Sequence, residues 1–581
     1  MVTFSLFRCS RWGRSLVRRA PFCRPSFRRS SFCRWVFLAF GFVLCHGVAV
    51  FAAQSSAAAQ AQSSSDILRI AGTVVSSTGG NLLGQARVTI ADAKNPQNRQ
   101  SMITSENGRF EFKVSAGKYS LQGAKRGFIA AAYEEHEQYS TAIVTGVGLD
   151  TENLVLRLAP SAVLSGKILD ELGDPVRHAT VSLYREDRRT GVGRIQRFFA
   201  DRTDDQGAYE FASLDAGTYF ISATATPWYV VHTVSSHRPE TENLPTSVDR
   251  SLDVAYPVTY YGDSTEPDDA TPIPIRGGDH LQADIHLNPV PALHLLFHVS
   301  ENSEHGFTVP MLHRPSFDGE DAVQTGGMQQ VSPDVFEING IAPGRYSVRM
   351  PGSGQGSEGN EIELTNDGQE LDVPTAERAG AVKATVQVVG ESKLPPQIEI
   401  ALLNSKMRLA AWQEMNEKGE VEFNDLAPGK YEVLAGSRPK SYSVVQITSD
   451  NGVISGHTLN VTAGAALTVS LSLVGGSVSV EGFAKRAGKA MSGAMVVLVP
   501  KDPESHRDLF RRDQSDQDGS FSLRSVIPGA YTIVAIENGW DLDWSRAAVI
   551  AQYAKHGQAV TVTEHTQSSM HLSDPVEVQP R

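Results

Sequence analysis

The 581-residue chain has only four cysteines, Cys9, Cys23, Cys33 and Cys45, all within its first fifty residues. Downstream there is no thiol, which excludes disulfide stapling, thiolate zinc centres and cysteine nucleophiles from the bulk of the molecule. Helical periodicity is nearly as scarce, and Arg546 to His556 is the one stretch that suits a short helix. No Gly-x-Ser-x-Gly elbow and no Gly-Lys-Ser/Thr phosphate loop occurs, so the usual signatures of serine hydrolases and P-loop enzymes are missing.

The first 34 residues lack lysine and carboxylates but hold nine arginines (Arg8, Arg11, Arg14, Arg18, Arg19, Arg24, Arg28, Arg29 and Arg34). From Trp35 to Ala53 the chain is almost purely apolar, and Val50-Phe51-Ala52 has the spacing that signal peptidase reads. A basic region, an apolar run and a small-residue exit make residues 1–53 an export signal, with an uncleaved anchor as the alternative because the run approaches membrane-spanning length. Val43-Leu44 before Cys45 is not the small-residue pattern of a lipoprotein signal. Residues 54–66, mostly Ala, Ser and Gln, read as a flexible spacer. Cleavage would leave 44 basic against 65 acidic residues, a net charge of about −21 that argues against nucleic acid as a partner. The expected location is outside the cytoplasm, in the periplasm, on the outer surface or in the medium, with no membrane insertion once the signal is removed.

Glycine is abundant (50 residues) and proline numbers 29, the level expected of many short strands joined by tight turns. One signature recurs: Ala116-Gly117-Lys118-Tyr119, Ala216-Gly217-Thr218-Tyr219, Pro343-Gly344-Arg345-Tyr346, Pro428-Gly429-Lys430-Tyr431 and Pro528-Gly529-Ala530-Tyr531. Its glycines are 100, 127, 85 and 100 residues apart, a domain-sized repeat. The motif predicts a type II turn with positive φ at the glycine, then a half-buried strand whose tyrosine buries its ring and offers its hydroxyl to the backbone near the turn. A polar-polar-glycine hairpin signal precedes it in four copies, at Gly108, Gly207, Gly419 and Gly519. The openings Ile70-Ala71-Gly72-Thr73-Val74 and Leu164-Ser165-Gly166-Lys167-Ile168 also recur.

The expectation is an all-β chain of about five immunoglobulin-like or transthyretin-like β-sandwiches: residues 67–159, 160–289 (with an insertion at about 228–274), 290–375 (the most degenerate copy), 376–473 and 474–575. From Gly166 through Gly173-Asp174-Pro175-Val176 and Asp204 to Tyr219, the second copy resembles the carboxypeptidase regulatory-like domain. The resemblance is weaker in the first and fifth copies and faint in the third and fourth. It implies a seven- or eight-stranded sandwich related to transthyretin and collagen-adhesin B repeats, an accessory domain in the peptidases that carry it.

No catalytic residue, metal site or cofactor is expected. Two His-x-x-Glu pairs, His237/Glu240 and His298/Glu301, match the chance frequency. His136-Glu137-Gln138-Tyr139-Ser140 lacks the second histidine of a zincin and reads as a surface loop. Asp516-Gln517-Asp518-Gly519 starts like a calcium loop, but Ser525 stands where the closing glutamate belongs. The remaining lead is aromatic. Trp228 and Tyr229, the Tyr260-Tyr261 pair, Trp412, and Trp540 with Trp544 are candidates for stacking sugar rings; Trp540 and Trp544 are the most suggestive, with capping of the last sandwich's open edge as the alternative. The expected function is non-enzymatic binding or scaffolding in the bacterial envelope, with polysaccharide or an envelope protein as partner. The alternatives are an accessory or regulatory subunit of an envelope transporter or hydrolase complex and, more remotely, a metallocarboxypeptidase-related role.

Overall fold

The structure is a computed structural model, described here for residues 67–581 except 147, 233–248, 299–309, 333–334, 350–353, 372–378, 392, 396, 438–439, 450–451, 455 and 564–567. The expected leader and spacer lie outside the described residues, as does the His237/Glu240 pair. Strands dominate the described chain, with one α-helix, Ala547–Ala554, inside the stretch whose periodicity predicts it.

Five β-sandwich modules follow one another. Module 1 opens with strand Leu68–Ser76, module 2 with Ala162–Leu169, module 3 with Leu293–His298, module 4 with Gly380–Val388 and module 5 with Val478–Arg486. Each opening strand is central in its sheet. It runs antiparallel to a later hairpin strand and parallel to a closing one, as Leu68–Ser76 does with Arg109–Val114 and Leu154–Leu158. In the facing sheet the second strand lies between an outer strand and the Gly-x-Tyr strand; Thr180–Asp187, for example, lies between Arg194–Arg202 and Gly217–Thr224. Alternating burial such as that of Arg109–Val114 sends Phe110, Phe112 and Val114 into the core. Each module has its own core cluster. In module 5 the last strand, Val576–Gln579, pairs in parallel with both Val478–Arg486 and Gly529–Ile536, joining the two layers into one nine-stranded sheet.

The recurring tyrosine does what its position predicts. In every copy the hydroxyl donates to the carbonyl four residues earlier: Tyr119 to Ser115 (3.1 Å), Tyr219 to Asp215 (3.0 Å), Tyr346 to Ala342 (2.5 Å), Tyr431 to Ala427 (2.6 Å) and Tyr531 to Ile527 (2.7 Å). The glycine differs from expectation. Gly117, Gly217 and Gly529 do not take the positive φ of a type II turn. What each of the five glycines would meet with a Cβ is its own tyrosine ring, 3.2–3.9 Å away. Only at Gly529, where the ring would lie 3.2 Å away, is that contact tight; Gly344 and Gly429 instead hold φ of 151° and 158°, outside the range of a type II turn. The hairpin glycines Gly108, Gly207, Gly419 and Gly519 do adopt the left-handed backbone that turn requires. The opening glycines serve close approach. A Cβ on Gly72 would lie 2.2 Å from the Leu154 carbonyl oxygen, and one on Gly166 2.2 Å from that of Ala283.

Part of the long excursion of module 2 belongs to its sheet. Thr259–Tyr260 and Ile273–Ile275 pair with Gly217–Thr224, and Tyr260 is fully buried. No described helix is long and apolar enough to cross a membrane.

Candidate functional site

The aromatic candidates include a covered pair, Trp540 and Trp544, and a pair in which Trp228 is exposed and Tyr229 half-buried. Trp540 (7% exposed) and Trp544 (3%) follow the strand Gly529–Ile536 and fold over the outer face of its sheet, on Met495, Val497, Val534 and Ile536. The indole N–H of Trp540 donates to the Gly493 carbonyl at 3.2 Å. His136 of module 1 stacks on Trp540 at 5.0 Å between centroids with the planes 6° apart, and Tyr139 packs at 5.6 Å. The Arg512 guanidinium lies 4.2 Å from the Trp544 centroid, and Phe510 meets that ring edge-on. A Cβ on Gly191, in a module 2 turn, would come within 2.9 Å of Trp544. The expected sugar platform at Trp540 and Trp544 is corrected here: protein already covers their faces, so neither ring has a free surface for a pyranose.

These contacts belong to a clasp joining modules more than 350 residues apart. The buried Arg512 side chain donates to Glu137 at 2.6 Å, and Gln514 donates to the Glu134 carbonyl at 2.6 Å and to Thr141 Oγ1 at 2.9 Å. His136 Nδ1 and Gln514 Oε1 are 3.1 Å apart; because the amide nitrogen is already donating, His136 is the donor of that bond. The Asp516-Gln517-Asp518-Gly519 turn, so like a calcium loop in sequence, is a docking tooth. Asp516 accepts from Lys118 Nζ (2.7 Å) and the Ala142 N–H (2.9 Å), and Gln517 donates to the Asp150 carbonyl (2.8 Å). Its counterparts in modules 2 and 4 cap their own turns: Asp204 binds the N–H groups of Gln206 and Ala208, and Asn416 those of Lys418 and Glu420. Module 2 adds Arg188 to Asp543 (2.7 Å) and the Gly193 N–H to the same carboxylate (2.8 Å). The loop at Tyr133–Tyr139, expected as a free surface feature, is thus half of an interface. Nothing in the local sequence marks Glu137, Gln514 or Asp543 as partners. The adjacent Arg511-Arg512 in a core strand was the available signal, because a buried guanidinium requires partners.

The second pair sits on module 2. The Gly-x-Tyr strand ends at Thr224, Pro227 follows, and the chain turns at Trp228-Tyr229. Trp228 is 88% exposed, with the Tyr229 ring edge-on at 5.7 Å and 86°. Beside it the turn Asp170–Asp174 projects Leu172, 83% exposed. Glu171 of that turn accepts from the hydroxyls of Tyr229 (2.6 Å) and Tyr256 (2.8 Å). Desolvation opposes ionisation of this carboxyl, but the Tyr229 phenol, its own backbone N–H and the Tyr256 phenol together outweigh it and hold its pKa below the ordinary value. Desolvation and the neighbouring carboxylate push Tyr229 up to about 12, so it stays a donor at physiological pH. Each Glu171 oxygen retains a lone pair that can accept another hydroxyl. The arrangement offers a flat apolar ring beside an ionised acceptor.

Among the described residues no group of three or more His, Cys, Asp or Glu side chains is arranged to hold a metal ion. Of the second His-x-x-Glu pair only His298 is described.

The family model of the carboxypeptidase regulatory-like domain matches residues 69–148. That is module 1, whereas the resemblance read from residues is strongest in module 2. The model of the second beta sandwich domain of the BOS complex subunit NOMO1-like family matches residues 474–563, in module 5. No curated protein matches the chain. Solved structures that it resembles include the Bacillus anthracis TIE protein (12% identity over 71% of this chain and 75% of that one, TM-score 0.18). A streptococcal ancillary pilin shares 10% identity over 50% of this chain and all of its own, with a TM-score of 0.19. GBS52, the minor pilin of Streptococcus agalactiae, shares 13% over 38% of this chain and 96% of its own, also at 0.19. TM-scores at this level carry no functional conclusion.

Proposed function

We propose that this chain, whose first module is a carboxypeptidase regulatory-like domain, is a non-enzymatic exported scaffold of the bacterial envelope that binds polysaccharide through Trp228 and Tyr229. One observation carries the reading: an indole that is 88% exposed beside a tyrosine and a carboxylate that hold each other in place. Sugar C–H faces need a flat apolar surface, and their hydroxyls need a fixed acceptor at its edge. Trp228 would supply the first and Glu171 the second. The clasp between module 5 and modules 1 and 2 supports the scaffolding part, since it ties the ends of the tandem array together.

The test is retention of the purified protein on immobilised envelope polysaccharides, alongside Trp228→Ala and Glu171→Gln. The expected result is binding that Trp228→Ala abolishes and Glu171→Gln weakens. Equal retention of the wild type and Trp228→Ala would remove this site from the function.

A second reading has its own support. The module 5 match is to a domain of a protein whose name makes it a complex subunit, which favours an accessory role in an envelope complex. Co-purification of a stable partner by a protein without glycan affinity would select that reading.

A further inference from the structure

The five modules repeat one sheet in register, so the outward faces of these sheets can be compared position by position. In module 5, Val497 lies opposite Arg512 on one side and Val534 on the other. Trp540 and Trp544 cover that face, and Tyr139 of module 1 packs against them. In module 2 the corresponding face holds Tyr184, Phe220 and Tyr260 and is covered by Phe317 of module 3. In module 1 it is polar, with Thr89 hydrogen-bonded across strands to Ser101.

Module 4 differs. Ala401 lies opposite Trp412 and Leu434, the positions of Val497, Arg512 and Val534. This row is therefore apolar, and Trp412 remains 46% exposed and Leu409 44%, while Glu432 on the same face lies 3.7 Å from His457. Two glutamates sit directly opposite each other at one end of the same face: Glu399 pairs with Glu414, two residues along each strand from Ala401 and Trp412. Like charges directly opposite on neighbouring strands repel. A cation between them and over the indole would remove that repulsion.

The chain itself shows what such a combination receives. At the clasp a guanidinium lies over tryptophan with a glutamate closing on it (Arg512, Trp544, Glu137), and Arg185 lies 3.7 Å over Phe198 in module 2. Among the described residues, module 4 presents the complementary half, the ring and the carboxylates without an arginine over the ring. We propose that the outward face of module 4 is a docking site for an arginine-bearing turn or strand of a partner protein. Trp412 takes the guanidinium on its ring, and Glu399 and Glu414 take its N–H groups. Arginine is favoured over lysine because its planar fork both stacks and binds carboxylate oxygens in pairs.

The test labels the full chain with 5-fluorotryptophan and follows the Trp412 resonance, assigned with Trp412→Phe, while a tetra-arginine peptide is titrated in. The expected result is a saturable shift that tetralysine reproduces more weakly and that salt suppresses. Glu399→Gln/Glu414→Gln should weaken binding about tenfold, several-fold for each carboxylate removed. These side chains are exposed or half-buried, so the variants should fold; an unchanged thermal midpoint checks this. Three results would each overturn the proposal. One is an unmoved Trp412 resonance at millimolar peptide. Another is a peptide-independent shift that grows with protein concentration as the mass doubles, which assigns the face to a second copy. The third is a shift with neutral oligosaccharide and none with tetra-arginine.

Discussion

The clasp makes the sharpest energetic prediction. Glu137→Ala removes the carboxylate facing Arg512, whose side chain is only 2% exposed, while Glu137 itself is 16% exposed. Stranding a buried charge costs about 3–5 kcal/mol. The guanidinium would keep its stacking on Trp544, and water could enter through the space vacated by Glu137. The expected loss is therefore at the lower end, about 3 kcal/mol. Arg512→Met in the Glu137→Ala background removes the stranded charge, and replacing both partners of a buried pair is often close to neutral. The double variant should recover most of the loss, for a coupling of about 2 kcal/mol. Urea unfolding followed by tryptophan fluorescence, in a Trp12→Phe/Trp35→Phe/Trp228→Phe/Trp412→Phe background that isolates Trp540 and Trp544, reads the transition directly. A Glu137→Ala variant within about 0.5 kcal/mol of the parent, or a double variant equal to the sum of the singles, would refute the argument that this pair holds the clasp.

Other expectations follow from single sites. Gly72→Ala places a methyl group against the Leu154 carbonyl and should destabilise module 1 by roughly 2 kcal/mol or more, read as earlier loss of hydrogen-exchange protection in Leu68–Ser76. Tyr431→Phe deletes the bond to the Ala427 carbonyl and should cost about 1–2 kcal/mol in module 4, measured by its denaturation midpoint. Burial pushes Asp513 up to about 6, so this group favours the fold fully below the unfolded value near 3.8 and loses that contribution as pH rises to about 6. Asp513→Asn keeps an oxygen for the Ser522 N–H and should flatten the thermal-midpoint profile between pH 4 and 6. The two ring nitrogens of His294 face Asp253 (3.2 Å) and Asp367 (2.7 Å). Desolvation disfavours its charged form, but the carboxylates prevail and its pKa is raised. Its stabilisation is present below about pH 6.5 and is lost as pH rises through the higher folded value. A histidine NMR titration that shows His294 losing its proton below 6.5 would contradict this.

Much of the fold is legible because its determinants are local. The hairpin glycines must take left-handed backbone, and the tyrosine hydroxyl reaches a carbonyl only four residues back, so both signals survive in one dimension. The type II reading of Gly-x-Tyr missed because Gly217, Gly344, Gly429 and Gly529 already belong to the strands they open, which spacing does not record. The candidate site was legible only in part. Trp540, with carboxylates and an amide beside it in sequence, reads as a stronger candidate than Trp228, and only the modules that fold back onto Trp540 distinguish a covered indole from an exposed one. Glu137 and Asp516 looked like fragments of metal motifs because a carboxylate's chemistry shows in sequence and its partner does not.

By itself the sequence determined the all-β class, the repeated turn-and-tyrosine unit and a cysteine-free body, because backbone conformation and side-chain alternation are set by near neighbours. The tertiary structure decided which aromatic faces are covered, that the last module is clasped by the first two, and that Trp412 stays half exposed near an opposed glutamate pair. Those outcomes depend on contacts across hundreds of residues. Their free energy comes from burying surfaces that no local pattern brings together.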